Sequence, residues 1–171
     1  FLIIGDGVRR HDLQRLAEQL RIDECVHFLG TRADIPELLS LVDVLVLSSH
    51  MEANPVSVLE ALACEKPVVA TRVGSVGETV QDGVSGYLVA PGNDVEMAAR
   101  VVELFGNPTL ARNMGRAGRD HVVAHWSLDR MVEGYQDLIH DIYADKCSVA
   151  TAIALAPLVE EGENATPAEA V

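Results

Sequence analysis

Short runs of consecutive apolar residues alternate along the chain with longer segments in which apolar residues return every three or four positions. The first pattern fits a strand buried on both faces, the second an amphipathic helix. Apolar runs predict strands over Phe1–Gly5, Cys25–Gly30, Asp43–Ser49, Lys66–Thr71 and Ser85–Pro91, the last stopped by Pro-Gly. Between them, helical spacing covers His11–Leu20, where Leu13, Leu16, Ala17 and Leu20 share a face, then Ala33–Val42 and Pro55–Cys64. Asp34 is placed to cap the second of these helices, with Pro36 in its first turn. Val76–Gly83 predicts a short helix or turn. Past Pro91 only helical periodicity remains. One helix is capped by Asn93 or Asp94 and closed by Gly106; others span Thr109–Ala124 and Ser127–Ala144.

Strand–helix alternation with apolar strands predicts the α/β class: a Rossmann-like, doubly wound parallel sheet covered on both faces, followed by C-terminal helices. Ligands bind such sheets at the carboxyl ends of the strands. The loops after Gly5, Gly30, Ser49 and Thr71 are therefore where chemistry is expected. From about Ser148 the chain has no Lys, Arg or aromatic residue and is rich in Ala, Glu and Pro. The expected organisation is one folded domain over residues 1–146 and a disordered acidic tail over 147–171, with a short helix near Val149–Leu158 as the rival reading.

The formal net charge of −13 changes the picture of partners. It repels phosphate backbones and anionic lipid, so no nucleic acid is expected as a partner of these residues. No apolar run reaches the length of a membrane span. Cys25, Cys64 and Cys147 show no metal-ligand spacing, so no metal is expected; Cys25 and Cys64 read as core residues, and the count suits a reducing, cytoplasmic setting. Phe1 begins what reads as a strand under way, so a longer protein is expected, with any membrane contact made by the part outside these residues.

The stretch Glu52-Ala-Asn-Pro-Val-Ser-Val-Leu-Glu60 offers specific chemistry. Asn54 suits an N-cap and Pro55 a first helical position, which starts a helix at the ligand edge of the sheet. The unpaired N–H groups of Val56, Ser57 and Val58 favour an anion. Glu60 lies on the helix face of Val56, about 6–9 Å further along the axis. A loop carboxylate, a phosphate-binding helix end and a second carboxylate match sugar, diphosphate and ribose in order. Spacing alone also allows a plainer reading, in which Glu52 favours the helix dipole and Glu60 is solvated.

Other motifs are less specific. Gly5-Asp6-Gly7 follows a strand, but Arg10 stands where a dinucleotide fingerprint has its third glycine. Asp6 reads as a turn residue. Ser48 and Ser49 have no His-Asp arrangement to make either a nucleophile. Of the histidines only His50 neighbours the expected site. Trp126, Tyr135 and Tyr143 read as helix packing, and Arg112, Arg116 and Arg119 as a solvated face.

The segment Ser48–Asp94 resembles the donor-binding, C-terminal domain of retaining GT-B glycosyltransferases, specifically glycosyltransferase family 4. The matching elements are Glu52, Glu60-Ala-Leu-Ala63, Pro67–Ala70, Gly74-Ser-Val-Gly-Glu78 and Gly86-Tyr-Leu-Val89. Upstream, Phe1–Gly7 and Cys25–Gly30 resemble further family strands, and His125–Tyr135 its closing helix, so the likeness runs over residues 1–143. The resemblance implies hexosyl transfer, with retention, from a UDP- or GDP-linked sugar to a glycan, lipid or small molecule. It implies no cofactor beyond that nucleotide-sugar substrate. It gives Glu60 the ribose hydroxyls and Glu52, the candidate catalytic residue, the transferred sugar near its reacting carbon. Ala53, Asn54, Pro55 and Val56 would contact sugar hydroxyls and the distal phosphate, Arg32 the base, and Gly5 and Gly7 would let the first loop approach the ligand. It places the diphosphate-neutralising Arg and Lys, and the acceptor-binding N-terminal domain, outside these residues, so that this half alone is expected to be inactive. Ala53-Asn54-Pro55 replaces the family's Gly-Phe-Pro or Gly-Phe-Gly, Ser75 its second turn glycine and Gly77 its proline. A non-catalytic nucleotide-sugar-binding or interaction module of the same fold is the alternative.

Overall fold

The computed structural model describes residues 1–155, with side chains for residues 1–147. Two compact units part between Trp126 and Ser127. The first holds five strands: β1 (Leu2–Ile4), β2 (His27–Gly30), β3 (Leu45–Leu47), β4 (Val68–Thr71) and β5 (Gly86–Val89). Six α-helices accompany them: α1 (Arg10–Gln19), α2 (Ile35–Leu41), α3 (Val56–Ala63), α4 (Val76–Thr79), α5 (Asp94–Gly106) and α6 (Pro108–His125).

All ladders are parallel, as the apolar runs predicted, but the strands form two sheets and not one. β1 pairs with β2, and β3–β4–β5 form a separate three-stranded sheet. β4 is central, and all four of its residues are buried. Its Val68 and Ala70 face one apolar cluster with Val58, Leu62 and Leu88; its Val69 faces a second with Leu104 and Met114. The period-two alternation of a strand thus sends one strand's side chains into two cores.

Helix α3 packs on α6 through two glycines. A β-carbon at Gly115 would fall on the carbonyl of Glu65, and one at Gly118 would press on Leu62. Arg119 donates to the Ala63 carbonyl and faces Glu65 at 4.0 Å, so it satisfies the carboxyl end of α3. The arginine face expected to be merely solvated therefore contains one working contact. Glu65 itself takes the left-handed conformation (φ 57°) that ends the helix.

Several local expectations shift. Asn93 caps α5 by accepting from Glu96 N–H at 3.2 Å, but Gly106 lies inside that helix and Asn107 follows it. Asn107 then caps α6. Asp34 precedes α2 as expected but makes no cap bond, because Arg32 holds its carboxylate. Cys25 is exposed, not a core residue; Cys64 packs against the first cluster. Trp126 also packs there, whereas Tyr135 and Tyr143 are exposed.

The second unit begins α7, which spans Leu128–Leu155. It runs past Ala144 and through the start of the expected tail; residues 156–171 lie outside the described residues. Leu128, Met131, Tyr135, Leu138 and Ile142 form an exposed apolar stripe along it. Among the described residues no helix is long and apolar enough to cross a membrane.

The close approach at Gly115 yields the first prediction. Gly115→Ala should lower unfolding free energy by about 1–3 kcal/mol, since backbone and not a flexible side chain must yield. Gly106→Ala, whose β-carbon meets nothing within 4 Å, should leave stability unchanged or raise it slightly. Urea unfolding of the two variants checks both.

Candidate functional site

The carboxyl end of β3 leads into the loop that carries the first candidate acid. Thr71, buried at the end of β4, donates to the Ser49 carbonyl at 2.5 Å and fixes where that loop leaves the sheet. Ser49 Oγ donates to Glu52 Oε1 at 2.7 Å. Glu52 is half-buried, and one of its carboxylate oxygens is thereby oriented while the other is left to accept elsewhere.

The loop after β4 closes over the backbone of Glu52 and Ala53. Ala53 O accepts from Ser75 N–H at 3.1 Å and from the Ser75 hydroxyl. Gly74, in a left-handed conformation (φ 51°), lies against the Glu52 carbonyl, where any β-carbon would overlap it. Both the dihedral and the space require glycine there. Ala53 keeps negative φ, so the chain does not use the freedom a glycine would give at that position.

Helix α3 starts one residue later than the sequence suggested. Pro55 is the N-cap (φ −74°, ψ 110°) and Asn54 makes no cap bond. Pro55 is buried, which locks the entry of the helix. Val58 N–H, expected to be open, donates to Pro55 O at 3.1 Å. The first-turn donors without a protein acceptor are therefore those of Val56 and Ser57. Val56 and Glu60 are both exposed, one helical turn apart.

The first loop is built differently. Gly5 has φ 112° and donates its N–H to Gly30 O at 2.8 Å. Gly7 needs no positive φ, and a β-carbon on it would meet nothing within 4 Å, so the fold itself does not demand that glycine. Asp6 accepts from Gly7 N–H at 2.8 Å and pairs with Arg10 at 3.1 Å, the turn role expected of it. Arg10 also reaches the Phe28 carbonyl, which ties α1 to β2. These residues line a hollow of about 360 Å³ with Leu13 and Phe28.

Arg32 is engaged before any ligand arrives. Its Nε and Nη2 donate to the two oxygens of Asp34 at 2.8 and 2.5 Å. This fork raises the guanidinium pKa and holds the Asp34 carboxyl below the usual carboxylate range, the hydrogen bond being the main cause in each. The flat face and remaining nitrogen of Arg32 are what it can still offer.

The structure thus brings Glu52, Ala53, Pro55 and Val56 together around one pinned loop and helix start. It adds Ser49, Thr71, Gly74 and Ser75, whose positioning role the sequence did not reveal. The only signal was the serine-rich strand end and the Gly74-Ser75 turn.

The chain spans little more than a third of the length of curated relatives such as the first described here. It is 33% identical over 144 residues to N-acetyl-alpha-D-glucosaminyl L-malate synthase of Bacillus anthracis, covering 84% of this chain and 38% of that protein. Sucrose-phosphate synthase of Thermosynechococcus elongatus shares the fold with a TM-score of 0.77 at 25% identity, over 84% of this chain and 38% of that one. HepE of Anabaena, crystallised with UDP, gives a TM-score of 0.72 at 28% identity, over 84% and 40%. The sequence pattern of the glycosyl transferases group 1 matches residues 1–121, and the chain belongs to that family.

Proposed function

We propose that these residues form the donor-binding half of a retaining, family 4-type GT-B glycosyltransferase, which moves a hexosyl group from a UDP- or GDP-linked sugar to a glycan, lipid or small molecule. The observation that carries this reading is the pinned loop. It holds an oriented carboxylate, Glu52, immediately before a helix whose first N–H donors, on Val56 and Ser57, are open. The complexes of HepE with UDP and with UDP-glucose support the donor class.

In this reading the distal phosphate sits at the start of α3. Charge grows on that phosphate as the anomeric bond breaks, and preorganised N–H groups stabilise it without rearrangement. Glu52 accepts from the sugar hydroxyls and holds the ring; Ala53, Asn54 and Pro55 line it. Glu60 accepts from the ribose hydroxyls, Arg32 lies against the base, and Gly5 and Gly7 admit the ligand to the first loop. Neither resident metal nor cofactor is required of these residues. In this reading Glu60 is engaged by the ribose and Glu52 by the transferred sugar, so the two do not act as a hydrolytic pair. The acceptor and any membrane contact belong to an N-terminal domain outside these residues, and the basic pair that neutralises the diphosphate also lies outside them, in a cytoplasmic protein.

Titration with UDP, GDP and ADP tests the site. One nucleotide should bind, and Glu60→Ala should weaken it by about 1–3 kcal/mol, the cost of losing a charged acceptor. Unaltered binding by that variant overturns the ribose role. Ser49→Ala separates binding from positioning. In the longer protein it should cut turnover about 10–100-fold, as a misplaced sugar-holding group does, while nucleotide affinity stays near wild type. Gly74→Ala should weaken both, since it displaces the backbone that carries Glu52. Turnover and isothermal titration on the same preparations distinguish the two cases.

A further inference from the structure

Two aspartates in the chain precede a glycine, Asp6 and Asp82, and no asparagine does. Asp-Gly is among the dipeptides most prone to cyclise. Glycine puts no side chain beside the attacking backbone nitrogen and leaves the chain free to turn. Both carboxylates are open to water, their side chains 55% and 44% exposed, so solvent access does not separate the two sites. Their hydrogen bonds do.

At Asp82 the two reacting groups are held apart. Its Oδ1 accepts from Leu88 N–H at 3.0 Å and its Oδ2 from Arg72 at 2.6 Å. Gly83 N–H donates to Gly86 O at 2.8 Å, and Asp82 itself bridges to Gly86 alongside β5. Bringing that nitrogen to Asp82 Cγ means undoing these bonds together. At Asp6 the two groups already touch. Gly7 N–H donates to Asp6 Oδ1 at 2.8 Å, which leaves the nitrogen beside the carbon that bears that oxygen. Asp6 Oδ2 pairs with Arg10 at 3.1 Å, a surface ion pair that restrains it only weakly. A β-carbon on Gly7 would meet nothing within 4 Å, and Val8 beyond it is 99% exposed, so no packed neighbour resists closure.

We propose that Asp6-Gly7 is a modification site at which the chain isomerises spontaneously to isoaspartate, and that the fold protects Asp82-Gly83 from the same change. Gly7 N attacks Asp6 Cγ and a C–N bond forms. Water leaves, carrying one carboxylate oxygen, the Gly7 N–H proton and a proton from solvent, and a cyclic imide remains. Water then adds to the imide carbonyl on the main-chain side of Asp6 and breaks its bond to Gly7 N; the borrowed proton returns to solvent. No oxidant or other reactant is consumed. The product chain runs through Cβ and Cγ, with the free carboxylate on Cα. That shift takes the carboxylate from its present place against Arg10, the residue that ties α1 to β2 through the Phe28 carbonyl. The site lies in the first loop, but its chemistry does not depend on what that loop binds.

The longer protein, incubated folded at neutral pH and then digested with trypsin, tests the proposal without any ligand. Isoaspartate is read by methyl transfer from S-adenosylmethionine with protein isoaspartate methyltransferase, and located by resistance to Asp-N cleavage before the residue. The peptide ending at Arg9 should hold at least about tenfold more of it at Asp6 than Val73–Arg100 holds at Asp82, because local opening must precede reaction at the second site. In urea, where neither site is held, the two yields should become similar. Gly7→Ala, for which the fold has space, should lower the yield at Asp6. Equal yields at the two sites of the folded protein, no isoaspartate at Asp6 while the urea-treated chain accumulates it, or an unchanged yield in Gly7→Ala overturns the proposal.

Discussion

The carbonyl of Glu52 occupies the space a side chain on residue 74 would need, and the arrangement of the site follows from that contact. Gly74 can approach only because it has no β-carbon and adopts positive φ. Its neighbour Ser75 then reaches Ala53 O with both backbone N–H and hydroxyl. With Thr71 holding the Ser49 carbonyl, the loop is fixed at both ends by residues from β4 and the turn after it. The position of Glu52 is therefore set by a strand that is buried along its whole length, not by the loop's own flexibility.

The two ends of α3 are treated oppositely. At its carboxyl end Arg119 donates to Ala63 O, and Cys64, Glu65 and Lys66 N–H groups return to carbonyls of the last turn. At its amino end the first donors stay open, and the half-charge of the helix dipole is directed at whatever lies beyond Pro55. The glycines of α6 make this possible. Gly115 and Gly118 let α6 come close enough for Arg119 to serve as the cap. Packing on one side of the domain thus completes one helix end and leaves the other free for binding.

Much of the fold was legible in the sequence because its strands are continuous apolar runs and its helices are periodic. The strand–helix order was legible too. What escaped the sequence is longer-range. The Ser49–Glu52 bond and the Thr71 and Ser75 contacts join residues whose roles depend on parallel pairing of β3 with β4, which no local pattern encodes. The helix start slipped by one residue because Pro55, once buried, caps the helix with its own extended backbone and leaves Asn54 no role as cap. Cys25 read as core from its apolar neighbours, yet it ends a 3-10 turn ahead of β2 and is exposed. The split of the sheet was illegible because apolar runs reveal strands but not which strand lies beside which.

Charge decides what these residues can do by themselves. A diphosphate carries more negative charge than two N–H groups and a helix dipole of about half a unit can offset. The arginines nearest the strand ends add little: Arg9 pairs with Asp12, Arg10 with Asp6, Arg32 with Asp34 and Arg72 with Asp82. Exposed pairs of this kind are individually weak, about 0–1 kcal/mol, so a phosphate could displace the carboxylate from any of them. The displaced carboxylate would nonetheless stay close by, and the first loop with Asp6, Arg9, Arg10 and Asp12 remains neutral as a whole. Against a net charge of −13, the proposed reading takes the missing positive charge from outside these residues. In the proposed reading, tight donor binding and transfer therefore emerge only when the two halves meet, and the acids here select hydroxyls while cations elsewhere hold the phosphates.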